Sequence, residues 1–296
     1  MSFNATESAF EGFRLARRAP WAILAWAAAY VVFFAVFFAV AGSSLIHIVT
    51  LAEQIEQSAE PSMSDLATLG QAYGALMVFV LPVSLLFGAV LTTAVARAVI
   101  RPEARRFGYM RLGKDELRVL AVTLVVGLIM LGVLIIGMAL VSAFGGMAAG
   151  MSAPFLILPA VLAGLATAAV TIWLAVRFSL AVPITFAEQK IAIKQSWAMT
   201  KGRFWPLLGM AVLAGVMSML VALLGSIVAA PLNLMFGGLD RLAGAETANV
   251  AVLLARFWPG LLIWAVVNAI LSSAQAAIVY APFSAAYLGI KDAPRA

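Results

Sequence analysis

Six stretches of roughly 20 residues or more contain no Asp, Glu, Lys, Arg or His, and each is long enough to cross the hydrocarbon core of a bilayer as a helix. They run from about Trp21 to Ala41, Tyr73 to Ala96, Val119 to Phe144, Pro154 to Val176, Pro206 to Pro231 and Trp258 to Tyr280. Backbone in lipid must satisfy its own hydrogen bonds, so a spanning segment is a helix or part of a closed barrel. These runs are apolar throughout rather than alternating, which selects the helix. Composition agrees: 64% of the chain is hydrophobic and 11% charged, against about 45–50% and about 25% in soluble domains. The expected fold class is all-α, a polytopic membrane helical bundle of six transmembrane helices plus amphipathic interfacial helices. Residues 1–296 form one integral membrane domain. The first apolar run begins after Pro20 and has the length of a span, so it reads as a transmembrane helix rather than a cleavable signal.

Charge sets the orientation. Seventeen of the nineteen Lys and Arg residues fall in the N-terminal segment, the loops Arg97–Arg118 and Arg177–Arg203, and the C-terminal tail. The opposite loops hold only Arg241 and Arg256, together with the acids Glu53, Glu56, Glu60, Asp65, Asp240 and Glu246. Basic residues are retained on the cytoplasmic side, so both termini are expected to be cytoplasmic in a multi-pass protein. A net charge of +6 suggests nucleic acid in a soluble protein. Here it follows from topology, and no nucleic-acid partner is expected.

Three basic stretches carry apolar residues at helical spacing. Ala5–Ala19 has Phe10, Phe13 and Leu15 against Arg14, Arg17 and Arg18, with Ser2 or Asn4 as a cap. Glu188–Leu208 reads as one basic amphipathic helix that stops at Gly202 and turns into a span near Pro206. Aligning Phe13, Tyr109 and Trp197 brings a basic residue four or five positions later in each copy, and a leucine eleven later. A threefold repeat, with units 5–98, 101–177 and 188–280, accounts for this. So does the ordinary anchoring of any span by basic and aromatic residues. The candidate lipid-headgroup contacts are Arg14, Arg17, Arg18, Arg105, Arg106, Arg111, Lys114, Arg177, Lys190, Lys194, Trp197, Lys201 and Arg203. Arg97 and Arg177 end spans and are placed to snorkel to phosphates. Glu103, Asp115 and Glu116 read as charge balance on an interfacial helix.

On the opposite side, Leu45, Ile48, Leu51, Ala52 and Ile55 continue a helical pattern. Pro61 breaks it, and Ser62 or Ser64 caps the next helix beside Asp65. Two helical extensions therefore project beyond the bilayer, and residues 43–71 are a place for a protein partner. His47, the only histidine, reads as an interfacial side chain.

Small residues recur every fourth position at Ser84–Ala96, Ala160–Ala168, Ser218–Ala230 and Ala265–Ala277, a spacing that lets helix backbones approach. The sixth span is the most polar. Asn268, Ser272 and Gln275 share one face, either bonding a neighbouring helix or lining a crevice. The bulky first span, VVFFAVFFAV, is expected to face lipid or a partner.

No cysteine, HExxH, GxSxG or P-loop is present, and no carboxylate or lysine lies within a span. The expectation is a protein that is not an enzyme, with no cofactor and no metal, and neither a proton pump nor an ion channel.

The stretch 176–212 carries Arg177, Pro183, Glu188, Ser196, Trp197, Thr200, Gly202, Phe204 and Trp205 in an order that reads as an Arg ending a span, a Pro, an acid, then SW…T.G.FW. It resembles the membrane domain found beside glycerophosphodiester phosphodiesterases and the YciC-like bacterial inner-membrane proteins. Residues 101–120 are similar to a segment of alphaproteobacterial relatives. The resemblance covers about forty residues and the six-span plan. It implies the bacterial inner membrane and a role in membrane or lipid homeostasis. It does not imply hydrolysis, since the sequence has no phosphodiesterase domain. Three roles follow: lipid association through anionic lipids, transport of a lipid or apolar solute past the sixth span, or scaffolding of an assembly.

Overall fold

The computed structural model describes residues 4–58, 62–151, 153–236 and 250–292. Ser2, Glu60, Pro61, Asp240, Arg241, Glu246 and Arg295 lie outside the described residues. The described residues form ten α-helices: α1 (Ala5–Ala9), α2 (Glu11–Arg18), α3 (Pro20–Gln57), α4 (Met63–Ile100), α5 (Lys114–Gly150), α6 (Ile157–Phe178), α7 (Ala181–Glu188), α8 (Ile193–Thr200), α9 (Phe204–Phe236) and α10 (Val250–Lys291). Six helices are long and apolar enough to cross a membrane, and no strand is found among the described residues. The chain is an all-α multi-pass membrane protein.

Local chemistry sets the helix ends. Asn4 Oδ1 accepts the N–H groups of Thr6 and Glu7 at 3.1 and 3.2 Å and opens α1. Pro20 opens α3 at a position where its missing N–H costs nothing. Ser62 and Asp65 form a reciprocal capping box at the start of α4. The extensions of the first two spans, at the end away from the basic loops, are continuous with them. Ile48 and Leu76 are buried together there, while Glu56 and Gln57 face out.

Packing is concentrated at the basic end. α10 is the central helix and packs against α3, α4, α9 and the two N-terminal helices. Its ridge Ala269, Ser273 and Ala277 is fully buried, as the small-residue spacing requires. α2 comes so close that a Cβ on Gly12 would meet the backbone of Ala277 and Ile278. The other ridges behave differently. A Cβ on Gly88 would meet nothing, and of the α4 ridge only Ala96 is buried, whereas its neighbours Ala89 and Thr93 are buried off that ridge. Ala168, Ala222 and Ser226 are exposed, and the close contact in the α5–α6 hairpin is Gly137 against Thr167. The first span lays Phe33 on Phe87 of α4, ring centroids 4.4 Å apart, and turns Val32 and Val36 outward.

Two interfacial segments depart from their sequence reading. Glu188–Leu208 is not one helix. Glu188 closes α7, Gln189 takes a left-handed φ of 55°, and α8 runs for only eight residues before Gly202, φ 78°, ends it. The break is held by Glu188, whose carboxylate bonds Lys190 at 2.8 Å and the Gln195 amide, and by Thr185, whose hydroxyl accepts the Ala192 N–H at 3.3 Å. Residues 101–113 are likewise not an amphipathic helix. They form a loop with a 3₁₀ turn at Arg106–Tyr109, and Phe107, Gly108 and Tyr109 all have positive φ. Gly108 lies against Ala25, and the Trp26 indole donates to the Gly108 carbonyl at 2.7 Å. Of the three aligned anchors, Phe13 and Trp197 are therefore helical and Tyr109 is in the turn.

The buried pair Arg97–Glu116 joins this loop to the bundle. Arg97 does not snorkel outward. It is 4% exposed, bonds Glu116 at 2.6 Å, and donates to the Tyr109 carbonyl. Glu116 is buried too, so it is a structural partner rather than surface charge balance. The Phe186 ring of α7, fully buried, lies 5.2 Å from Arg97 and 5.1 Å from Arg101. Removing one partner of such a pair strands the other charge. Glu116→Ala is expected to destabilise the fold by about 3–5 kcal/mol, while a joint Arg97→Met, Glu116→Leu variant recovers most of that loss. Unfolding midpoints in mixed micelles check both.

Candidate functional site

The structure gathers the sequence-derived basic residues at one end and sorts them by their surroundings. Arg14 and Arg18, themselves exposed, pair with the buried Glu11 at 2.8 and 2.9 Å, which ties α2 to itself. Lys190 is held by Glu188. Arg17, Arg105, Arg106, Arg111, Lys114, Lys194 and Lys201 are exposed. Arg203 is half-buried and reaches back to the Met199 carbonyl at 3.4 Å. Trp21, Phe107, Leu112 and Trp205 are exposed at the same end. Exposed bases beside exposed aromatic side chains suit the headgroup layer, where an amphipathic ring sits half in water.

Arg177 stands apart from this set. It ends α6, and its carbonyl accepts the hydroxyls of Ser196 at 2.8 Å and Thr200 at 3.4 Å. Those two bonds dock α8 onto α6 and place Trp197 against Trp173, ring centroids 5.0 Å apart.

Among the described residues the side-chain hydrogen bonds of the sixth span return to its own backbone. Asn268 Nδ2 donates to the Trp264 carbonyl of its own helix at 2.9 Å, and Ser273 Oγ returns to Ala269 at 2.7 Å. Asn268, Ser272 and Gln275 instead look into a groove between α9 and α10. Its inner part, about 320 Å³, is lined by Ala222, Gly225, Ser226, Trp264, Asn268 and Leu271, with Ser272 and Gln275. A second part of about 240 Å³ continues along the same two residues to Ser218, Tyr280 and, from α3, Tyr30. From Trp264 to Tyr280 the track runs about 24 Å at 1.5 Å per residue, most of the roughly 30 Å hydrocarbon thickness.

The groove exists because the small residues of α9 leave room. Ala222 and Ser226 are exposed to it, whereas the ridge spacing suggested packing against a neighbour. Tyr30, Ser218, Trp264 and Tyr280 were missed as lining residues by sequence reading. The available signal was the coincidence of hydroxyls at Ser218 and Ser226 with amides on the facing helix. Among the described residues, no cluster of three or more His, Asp or Glu side chains could hold a metal ion. His47 is exposed on the outer extension of α3.

No family model, no curated protein and no solved structure matches the chain.

Because the chain has no cysteine, single thiols report accessibility cleanly. Ser272→Cys is expected to react with a maleimide in detergent at least about tenfold faster than Ala277→Cys, which lies on the fully buried face of the same helix. Equal rates show a closed groove.

Proposed function

We propose that the protein is a non-enzymatic, lipid-associated component of the bacterial inner membrane, with both termini cytoplasmic and a role in membrane homeostasis. The observation that carries this reading is the polar track of Asn268, Ser272 and Gln275 along the groove between α9 and α10. Amide and hydroxyl groups in hydrocarbon need partners. A lipid can supply them, because its glycerol and headgroup oxygens enter a polar groove while its tails stay among the exposed apolar side chains of α9, such as Leu223 and Ile227. The basic end with its exposed bases favours anionic lipid, each Lys or Arg contributing about 1 kcal/mol near such a surface.

Movement of a lipid or apolar solute along the track is a second reading, favoured by the length of the groove. α7 weighs against an aqueous path through the bundle. Its Ile184, Thr185 and Phe186 are fully buried and plug the basic end, so a moving lipid would travel along the side. The outer extensions of α3 and α4 keep the scaffold reading open, since Val49 and Leu66 are exposed there and offer a partner apolar surface.

Native mass spectrometry of the purified protein is expected to show bound lipid, with Asn268→Leu and Gln275→Leu together lowering occupancy several-fold. Wild-type occupancy in that variant overturns the reading. Proteoliposomes carrying fluorescent lipid separate binding from transport, since only the transport reading expects lipid to cross between leaflets. Orientation is tested independently. Ser64→Cys is expected to label in intact cells, and Lys201→Cys only after permeabilisation.

A further inference from the structure

We infer that Arg177, Trp173 and Trp197 form a binding site for a phosphate group. The guanidinium carbon of Arg177 lies 5.5 Å from the centre of the Trp173 ring and 5.4 Å from that of Trp197. The two rings meet nearly at right angles, 88° between planes, and form two walls around the charge. Aromatic faces attract a cation through their quadrupole without accepting its N–H groups in the plane of the guanidinium. Nε and Nη1 of Arg177 are buried and make no hydrogen bond. Among the described residues no carboxylate lies within ion-pair distance of Arg177. The nearest acid along the chain, Glu188, is engaged by Lys190 and Gln195.

A buried donor without an acceptor costs free energy, and a charged one costs more. Arg97 shows how the same fold treats an arginine when an internal acceptor exists: Glu116 and the Tyr109 carbonyl take its donors. Arg177 has no such acceptor among the described residues, and we assign it one from outside the chain. A planar guanidinium presents paired donors that match two oxygens of a phosphate. The site is built rather than incidental. Ser196 and Thr200 hold the Arg177 carbonyl and so fix Trp197, while Trp173 lies one helical turn before Arg177 on α6. Both indoles are more than a third exposed, which opens the walls to the headgroup layer. Lys194 and Lys201, exposed on either side of Trp197 in sequence, add positive charge.

The ligand is a phosphate-bearing molecule, either a lipid headgroup or free phosphate. The assignment rests on the lipid-associated reading for its lipid source. It uses a different face from the groove, so the two can fail separately.

The test is titration of the full-length protein in dodecyl maltoside, with native mass spectrometry as the readout. The probes are dihexanoyl phosphatidylglycerol, dihexanoyl glycerol lacking the phosphate, and inorganic phosphate. The phosphate-bearing lipid is expected to bind wild type, and Arg177→Gln is expected to weaken it by about tenfold or more. Arg177→Lys, which keeps the charge but loses the planar fork, falls between them and serves if the Gln variant does not fold. His47→Ala, at an exposed position on an extension of α3 that belongs to neither site, should leave this phosphate-dependent binding unchanged. Binding of inorganic phosphate as tight as that of the lipid supports the site with free phosphate as its source. Two results overturn the assignment. One is equal affinity for the lipid with and without its phosphate. The other is a loss of thermal stability in Arg177→Gln or Arg177→Lys with unchanged lipid affinity, which marks the arginine as structural only.

Discussion

Two apolar helices in a bilayer gain little by leaving lipid for each other, because the tails are as apolar as leucine. Association must come from close backbone approach and from polar groups that find partners. This chain supplies both at one end. Gly12 lets α2 lie on the backbone of α10, and Ala269, Ser273 and Ala277 form the buried ridge. Arg97 and Glu116 close a charge pair over the loop that Trp26 fastens to α3. α7 inserts Ile184 and Phe186 between these parts. Without these contacts, lipid-like surfaces would be left facing one another.

The asymmetry follows directly. Away from the basic end the spans turn Leu128, Leu131, Ile135 and Ile136 of α5, and Leu158, Leu162 and Leu165 of α6, outward. Lipid can cover these as well as a neighbour could. Polar side chains have no such alternative, so the amide and hydroxyl track on α10 is the informative exception. Its own-helix bond at Asn268 satisfies one donor of an amide that has two donors and an acceptor. Ser272 and Gln275 face the same space as Tyr30 and Tyr280. The lipid-associated reading proposed above matches this groove to a ligand with one polar end and a long apolar remainder.

Much of the fold was legible because the bilayer simplifies the code. Uncharged runs mark spans, and residue types mark a helix start at Ser62 or Ser64 beside Asp65, though not which serine caps it. What stayed hidden depended on contacts between segments. Arg97 and Glu116 are nineteen positions apart, and they meet only because Phe107, Gly108 and Tyr109 take positive φ, a choice with no periodic signature. Glu188–Leu208 looked like one helix because its apolar spacing persists through Gln189. The side-chain bonds of Glu188 to Lys190 and Gln195 break it, and no propensity records them. The groove residues Asn268, Ser272 and Gln275 were visible as a face. Whether that face bonded a neighbour or opened to lipid turned on the small residues of α9, which fit both outcomes equally well in sequence.

Arg97 and Arg177 make the same point most sharply. Each ends a span within a run of alanine, valine and leucine, and each looks suited to reach for phosphates. Their difference lies in what the fold brings to them. Arg97 receives a carboxylate and a carbonyl, so its charge is neutralised and its donors are used within the bundle. Arg177 receives two indole faces, which hold the charge and accept none of its donors in plane. In a medium of low dielectric the first arrangement is complete and the second is not. An arginine held by aromatic rings, with its Nε and Nη1 unpartnered among the described residues, is what the proposed phosphate site rests on.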